Sequence, residues 1–436
     1  MSKRAKDLNK PPLPENQDKT VKVYYGIFFD GTMNHRGQAT IGEKYREKEK
    51  KSLGLNKKEL KKELKEIKKE LGYTNSNVQK NDQSNVALLY PNFNEESEDY
   101  VCCRYITGIA TEEDGSTSVV AGGAFGKGNT GIKAKVEKSI KEIPCIINQL
   151  SIRQGANIEL YFELFGFSRG AAAARNFVWN VMEKNKSTLT EKIKPRNLIS
   201  IDINYIGLFD TVSSHGLNMF SDDDVAELHL DAIREADYVF HICAADEFRK
   251  NFALTNISSA NGKEIFIPGA HSDIGGGYPA GEYSVSLMMS PSPNETVDDV
   301  NTVVTIDSLM RLGWIRDIPT KNYNIYRDES FTSIRFKNNV KKGYSYIGLE
   351  LMAENACDNR KKMFSPSKYA TPTDLKEIKD MANSSTSLET CQQLFNHHYK
   401  KLNLRTDWLH FSSNDGSIGM GPRKENGILR RNIIDG

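Results

Sequence analysis

Proline is scarce in this 436-residue chain, with 14 in all and three of them at positions 11, 12 and 14. With 38% apolar residues besides, neither a fibrous nor a low-complexity architecture fits. Cysteine is equally thin. The six, at 102, 103, 145, 243, 357 and 391, show neither the CxxC spacing of a zinc site nor the density of a disulfide scaffold, and they read as buried thiols. Net charge is almost missing: 59 Lys and Arg against 57 Asp and Glu leave +2, so no global field draws the chain to nucleic acid or to an anionic membrane. No apolar run approaches the roughly 18 residues of a membrane span. The amino-terminal MSKRAKDLNKPPLPENQDKT has no hydrophobic segment of the kind a secretion signal needs. The expectation is a protein made in the cytoplasm without a signal peptide. At roughly 150 residues per domain, the length accommodates two or three domains, or one large α/β domain with insertions.

What is present falls into blocks. Residues 1–20 are polar and proline-bearing, a composition that reads as a disordered tail. From Val21 to Phe29 the chain turns β-branched and aromatic and stops at Asp30-Gly31, the pattern of a buried strand ending in a tight turn. Residues 43–72 are rich in Lys, and Leu60, Leu64, Ile67 and Leu71 share one helical face, which predicts an inserted basic amphipathic helix. Further on, strand-like runs (Ile158–Phe165, Leu198–Phe209, Tyr238–Ala245, Glu264–Pro268) alternate with helix-like ones, including one around Asp222–Asp237. Such alternation argues for an α/β fold with a mostly parallel sheet flanked by helices. The core is expected over 21–280. Residues 281–344, polar and proline-bearing, read as an insertion suited to a lid or membrane-docking role, and 345–436 as a helix-rich completion of the core.

Two glycine-rich motifs differ in specificity. GKGNTG, ending at Gly131, matches the dinucleotide pattern GxGxxG, but a helix-like Ile132–Leu150 follows it without the βαβ context and acidic residue that the pattern requires. A flexible rim is the better reading. ELYFELFGFSRGAAAARNF instead runs a buried strand into Gly166-Phe167-Ser168-Arg169-Gly170 and then an alanine-rich helix. That is GxSxG in its strand, turn and helix setting, which projects a serine hydroxyl from a strained turn. Ser168 is therefore the candidate nucleophile, and the backbone N–H of Arg169 a candidate oxyanion donor, a contribution of about 3 kcal/mol in such sites.

A serine hydroxyl needs a base, and the base needs an acid to orient it. In this kind of fold the order along the chain is Ser, Asp or Glu, then His. After Ser168, IDINYIGLFDTVSS ends a strand at Asp210, and EIFIPGAHSDIGGGY ends another at His271. Both fall just past strand carboxyl ends, where ligands bind in open α/β sheets. His410, in WLHFSSND, is the alternative base, and Asp273 an alternative acid. Asp30, Asp210, His271 and Asp273 could also be read as metal ligands, but that leaves the GFSRG turn unexplained. No metal or cofactor is expected.

Taken in order, YYGIFFDGTMN, GFSRGAAAAR, GLFDTV, HICAADEFRKNF and GAHSDIGGGY resemble the DUF2235 family of α/β hydrolases, which includes the Tle1 phospholipase effectors of bacterial type VI secretion. The resemblance covers residues 21 to about 280 and resumes weakly near YIGLELMAENA. It implies hydrolysis of glycerophospholipid acyl esters by a triad of Ser168, Asp210 and His271, with Gly31 or Thr32 of the FFDGT turn supplying the second oxyanion donor. It further implies export with a spike (VgrG-like) component, action in the periplasm of a target cell and a cognate immunity protein; from the charge balance, no nucleic-acid partner is expected. Two other readings stay open: a carboxylesterase or thioesterase acting on soluble esters, and an inactive hydrolase-fold scaffold.

Overall fold

The computed structural model describes residues 20–51, 56–71, 80–94, 100–116, 130–214, 224–288, 306–316, 321–327, 332–415, 420–425 and 428–436. The expected tail at 1–20 (all but its last residue), the glycine run up to residue 129, His215, and residues 289–305, 317–320 and 328–331 of the expected insertion lie outside these.

Six strands form the central sheet: β1 (Val21–Phe29), β2 (Tyr100–Ile106), β3 (Asn157–Phe167), β4 (Asn197–Phe209), β5 (Val239–Ala244) and, after the two-residue β6 (Leu254–Thr255), β7 (Gly262–Ile267). Their order is β2-β1-β3-β4-β5-β7 and every pairing is parallel. Such a sheet needs cover on both faces, and the sequence supplies it by alternation. On β3, Ile158, Leu160, Phe162 and Leu164 point into one apolar layer, while Phe165 and Phe167 point into the other. Each fully buried Leu, Ile or Phe contributes about 1.5–3 kcal/mol.

Between the strands lie α1 (Arg36–Lys51), α2 (Lys57–Leu71), α3 (Asn85–Leu89), α4 (Ile132–Gln149), α5 (Arg169–Trp179), α6 (Lys186–Lys192), α7 (Val225–Leu228) and α8 (His271–Gly275). Helix α4 buries Ile132, Val136, Ile140, Ile143 and Ile147, a stripe spaced four, four, three and four residues apart. In α2, Ile67 is buried. The expected helix around Asp222–Asp237 is instead α7, a single turn, followed by a 3₁₀ turn at Leu230–Glu235. The break is at His229, whose backbone is left-handed (φ 51°) and whose ring stacks on Trp179 at 4.0 Å.

Residues Gly281–Met288 (β8), Tyr323–Arg327 (β9) and Thr332–Val340 (β10) form an antiparallel sheet in the order β8-β10-β9. Its Leu287, Ile334 and Phe336 join the apolar layer that also holds Phe209, Ile347 and Met352. The helix Tyr346–Asn359 closes that layer, and its neighbour Arg360 forks onto the buried Glu163 of β3 at 2.5 and 2.7 Å. Replacing Arg360 with Ala leaves that carboxylate buried and without its cation. The expected loss is about 3 kcal/mol, measured by chemical denaturation against a surface Lys-to-Ala control.

Candidate active site

Strand β3 ends in a turn that the backbone can make only with specific residues. Ser168 has φ 58° and ψ −128°, a strained conformation for a residue with a side chain, costing of order 1–3 kcal/mol. A Cβ on Gly166 would lie 2.5 Å from Ala171 Cα, and one on Gly170 would lie 2.3 Å from the Asp30 carbonyl oxygen. Both glycines are thus needed for α5 to begin flush against the ends of β3 and β1. The turn is held to the next strand as well. Ser168 N–H donates to the Phe209 carbonyl at 3.0 Å, and Val212 N–H donates back to the Ser168 carbonyl at 3.4 Å. These bonds set Ser168 beside the residue that follows β4.

That residue is Asp210, fully buried and itself at φ 46°. His271, at the start of α8, has Nδ1 2.6 Å from Asp210 Oδ2. Its ring lies against Phe167, with centroids 4.6 Å apart, and against Phe252 at 5.1 Å. Sixty-one residues of chain separate the two partners, and the parallel sheet brings them to one rim. Burial pushes the Asp210 carboxyl up, but Arg431 and His271 more than offset it and hold the group well below the usual carboxylate range. Burial also pulls the His271 imidazole below its ordinary value, and Asp210 opposes this only in part. With Asp210 ionised, the His271 proton sits on Nδ1 and leaves Nε2 as the acceptor.

Two further residues, neither singled out from the sequence, complete this arrangement. Arg431 sends Nη1 to Asp210 Oδ1 at 2.7 Å and Nη2 to Oδ2 at 3.0 Å. Glu247 accepts the His271 backbone N–H at 3.2 Å and is gripped by Arg249 through bonds of 2.9 and 2.8 Å. Burial would raise the Glu247 carboxyl, but Arg249 prevails and brings it down to about 2. Glu247 and Arg249 lie in the DEFRKNF stretch, whose charges within an otherwise apolar region were the available signal.

The turn after β1 packs beside Ser168. Asp30 accepts hydrogen bonds from Gly31 N–H (2.7 Å), Asn34 Nδ2 (3.2 Å), Ser84 Oγ (2.6 Å) and the Tyr105 hydroxyl (2.5 Å). Burial raises its carboxyl from the ordinary value, and those donors offset only part of the rise. Arg169 Nε donates to Thr32 Oγ1 at 2.8 Å, tying this turn to the first residue of α5. Burial brings the Arg169 guanidinium down to about 10.

His410 lies elsewhere. Its Nδ1 is 2.6 Å from Asp273 Oδ1, its N–H donates to Asp273 Oδ2 at 2.9 Å, and its ring sits against Tyr278 and Tyr283. Asp273 also accepts the Ala270 N–H at 2.9 Å, so this pair braces the turn that carries His271. Of the four residues considered as metal ligands, only Asp210 and His271 meet by a direct bond; Asp30 and Asp273 have separate partners. Elsewhere, ligating atoms of His241, Cys243 and Glu264 lie within 4.8 Å of one another. The Thr211 N–H donates to His241 Nε2 at 3.1 Å, so the imidazole proton is on Nδ1, 2.8 Å from Glu264 Oε2. Burial, helped by Glu264, keeps the Cys243 thiol protonated by pushing it far up. This cluster is a hydrogen-bonded brace under Thr211.

Comparison with known proteins agrees with the resemblance read from the motifs. Residues 179–297 match the family model described as the type VI secretion phospholipase effector Tle1-like catalytic domain. That span contains Asp210 and His271 and begins after Ser168. A solved structure of the Tle1 effector bound to the VgrG spike of the type VI secretion system is similar at 20% identity and a TM-score of 0.59, covering 96% of this chain and 94% of that one. An uncharacterized protein from Pseudomonas aeruginosa aligns at 17% identity and a TM-score of 0.39, over 87% of this chain and 53% of the other. A search of curated protein sequences finds no match. The α/β fold with its parallel six-stranded sheet is thus shared with the Tle1 structure.

Two outcomes follow from the geometry. Gly170→Ala should destabilise the protein by about 1–3 kcal/mol in urea titration, because its methyl meets backbone that cannot retreat. Asp210 and Glu247 both have carboxyls depressed on folding, so their stabilisation is complete above the unfolded carboxylate value of about 4 and is lost as pH falls through the folded values. The denaturation midpoint should therefore drop steeply between about pH 4 and about pH 2.

Proposed function

We propose that the chain is a serine hydrolase that cleaves acyl ester bonds of glycerophospholipids, a phospholipase A of the type VI effector kind. The observation that carries this reading is the buried Asp210–His271 hydrogen bond, 2.6 Å long, beside a serine held at a strained positive-φ turn. A structural serine has no need of that backbone strain.

In the proposed reaction His271 Nε2 takes the Ser168 proton as Oγ attacks the ester carbonyl, and the Asp210 carboxylate keeps the imidazole oriented and stabilises its charged form. Since the Gly31 N–H is given to Asp30, we assign the oxyanion to the N–H groups of Arg169 and Thr32, two residues clamped together by the 2.8 Å Arg169–Thr32 bond. Collapse of the tetrahedral intermediate breaks the ester bond, and His271 returns the proton to the lipid alcohol. Water then attacks the acyl-serine with His271 again as base, releasing the fatty acid and restoring Ser168.

The similarity to the spike-bound effector over nearly the whole chain supports delivery on a VgrG-like component. A target-cell membrane as substrate and a dedicated immunity protein in the producer rest on the motif resemblance. Among the described residues no helix is long and apolar enough to cross a membrane. On the reading proposed, the substrate ester is met at the bilayer surface.

Ser168→Ala should lower release of fatty acid from phospholipid vesicles by roughly 10⁴-fold or more while leaving the circular-dichroism spectrum unchanged. His271→Ala should match it; His410→Ala should cost less, because its carboxylate partner is Asp273. Equal activity of parent and Ser168→Ala proteins would reject the mechanism. A short-chain nitrophenyl ester hydrolysed far faster than vesicle lipid would redirect the reading to a soluble esterase. With the His271 imidazole depressed on folding, kcat/KM should fall only as pH drops below the ordinary imidazole range.

A further inference from the structure

Arg431 stands 221 residues beyond Asp210 in the sequence, yet its guanidinium is the principal charge on that carboxylate. Both side chains are out of water, at 1% and 0% exposure. Nη1 bridges Asp210 Oδ1 and the Ala244 carbonyl, each at 2.7 Å, and Nη2 bridges Oδ2 at 3.0 Å and the Phe252 carbonyl at 3.2 Å. Oδ1 also accepts the Ala244 N–H at 2.8 Å. Oδ2 is thus shared between Arg431 and the His271 Nδ1–H.

The backbone around Arg431 is fixed on both sides. Ile428–Leu429 pairs antiparallel with Lys424–Glu425, and Ile433–Ile434 pairs parallel with β6 in the register Ile433 with Leu254. Leu254 N–H donates to the Asn432 carbonyl at 2.8 Å, and Asn256 N–H to that of Ile434 at 2.9 Å. The segment crosses the strand ends as a strap and lowers one cation onto the carboxylate.

We propose that Arg431 is a positioning residue that sets the proton affinity of the Asp210–His271 pair, an inference that rests on the triad reading above. Its fork fixes the carboxylate plane. By taking part of Oδ2 it limits the pull of Asp210 on an imidazolium, and its charge further disfavours protonation of His271. Burial of the imidazole acts in the same direction, so His271 rests neutral near neutral pH, ready to accept the Ser168 proton. Other charged or titratable groups facing the pair are Glu247 and Arg249 on the loop after β5 and Cys243 on β5; Glu247 and Arg249 form their own ion pair, and Asp273 on α8 is held by His410 and the Ala270 N–H.

The test uses the full chain with Arg431→Met and Arg431→Lys, reading the acidic limb of kcat/KM on phospholipid vesicles. Arg431→Met should move that limb up by about one pH unit, because removing a nearby cation favours the imidazolium. Arg431→Lys should keep the limb near that of the parent yet lower the rate, since an ammonium cannot make the two-pronged bond. A limb that stays in place or moves down in Arg431→Met overturns the proposal, and a purely structural role predicts that outcome. Should Arg431→Met not fold, Arg431→Gln takes its place, with His271 titrated by NMR in that variant and in the parent, both ¹⁵N-histidine-labelled. A His271 that titrates higher in Arg431→Gln than in the parent supports the proposal, and one that is unmoved or lower overturns it. Ser168→Ala separates the two levels: retained activity there removes the triad itself, whereas an inactive Ser168→Ala with an unshifted limb removes only the role of Arg431.

Discussion

The Asp210 carboxylate is taken wholly out of water and stays ionised because Arg431, the His271 imidazole and the Ala244 N–H together replace its hydration. An isolated carboxylate in such surroundings would take up a proton. Each of the three donors comes from a different part of the chain: the loop segment after the last helix, the start of α8, and the end of β5. The carboxylate therefore acts as the point at which sheet, helix and strap are registered against one another. Loss of any donor leaves a buried charge with an incomplete shell, the situation in which breaking an ion pair costs most.

Around that centre the backbone is drawn tight. Ser168 and Asp210 both occupy positive φ, and they are neighbours through the Ser168–Phe209 and Val212–Ser168 bonds. Strain of this kind persists only where surrounding contacts over-determine the conformation. Here the contacts are the close approach of α5 to the end of β1, made possible by Gly170, and the lattice of donors on Asp30 that holds the adjoining turn. Two braces stand behind: His410 with Asp273 under the His271 turn, and His241 with Glu264 under Thr211. Both use a His and a carboxylate, yet each is committed by its neighbours to hold backbone in place.

The sheet was legible because a parallel strand buried on both faces leaves a run of apolar residues that little else in a soluble protein imitates. Strands β1, β3, β4, β5 and β7 were visible in this way and β2 was not, while GFSRG was visible because its glycines answer a steric need at known offsets. Asp210 and His271 could be placed at strand ends from the linear pattern; their hydrogen bond could not, since it spans separate crossovers. Arg431 escaped notice for a stronger reason. It sits among basic residues in a short tail segment, and nothing local separates an arginine bound for the interior from its solvated neighbour Arg430. His229 likewise broke an expected helix through a ring contact with Trp179, which no periodicity reports.

The strap's distance along the chain also orders events in time. The Arg431–Asp210 contact spans 221 residues, so it can close only after the strands and crossovers between its two ends have been made. Until residues 428–434 have been synthesised and docked, the polypeptide carries a bent serine loop facing an acid whose counter-cation has not arrived. A molecule lacking the strap would therefore keep that carboxylate out of water with no guanidinium against it, and the rim of the sheet would loosen with it.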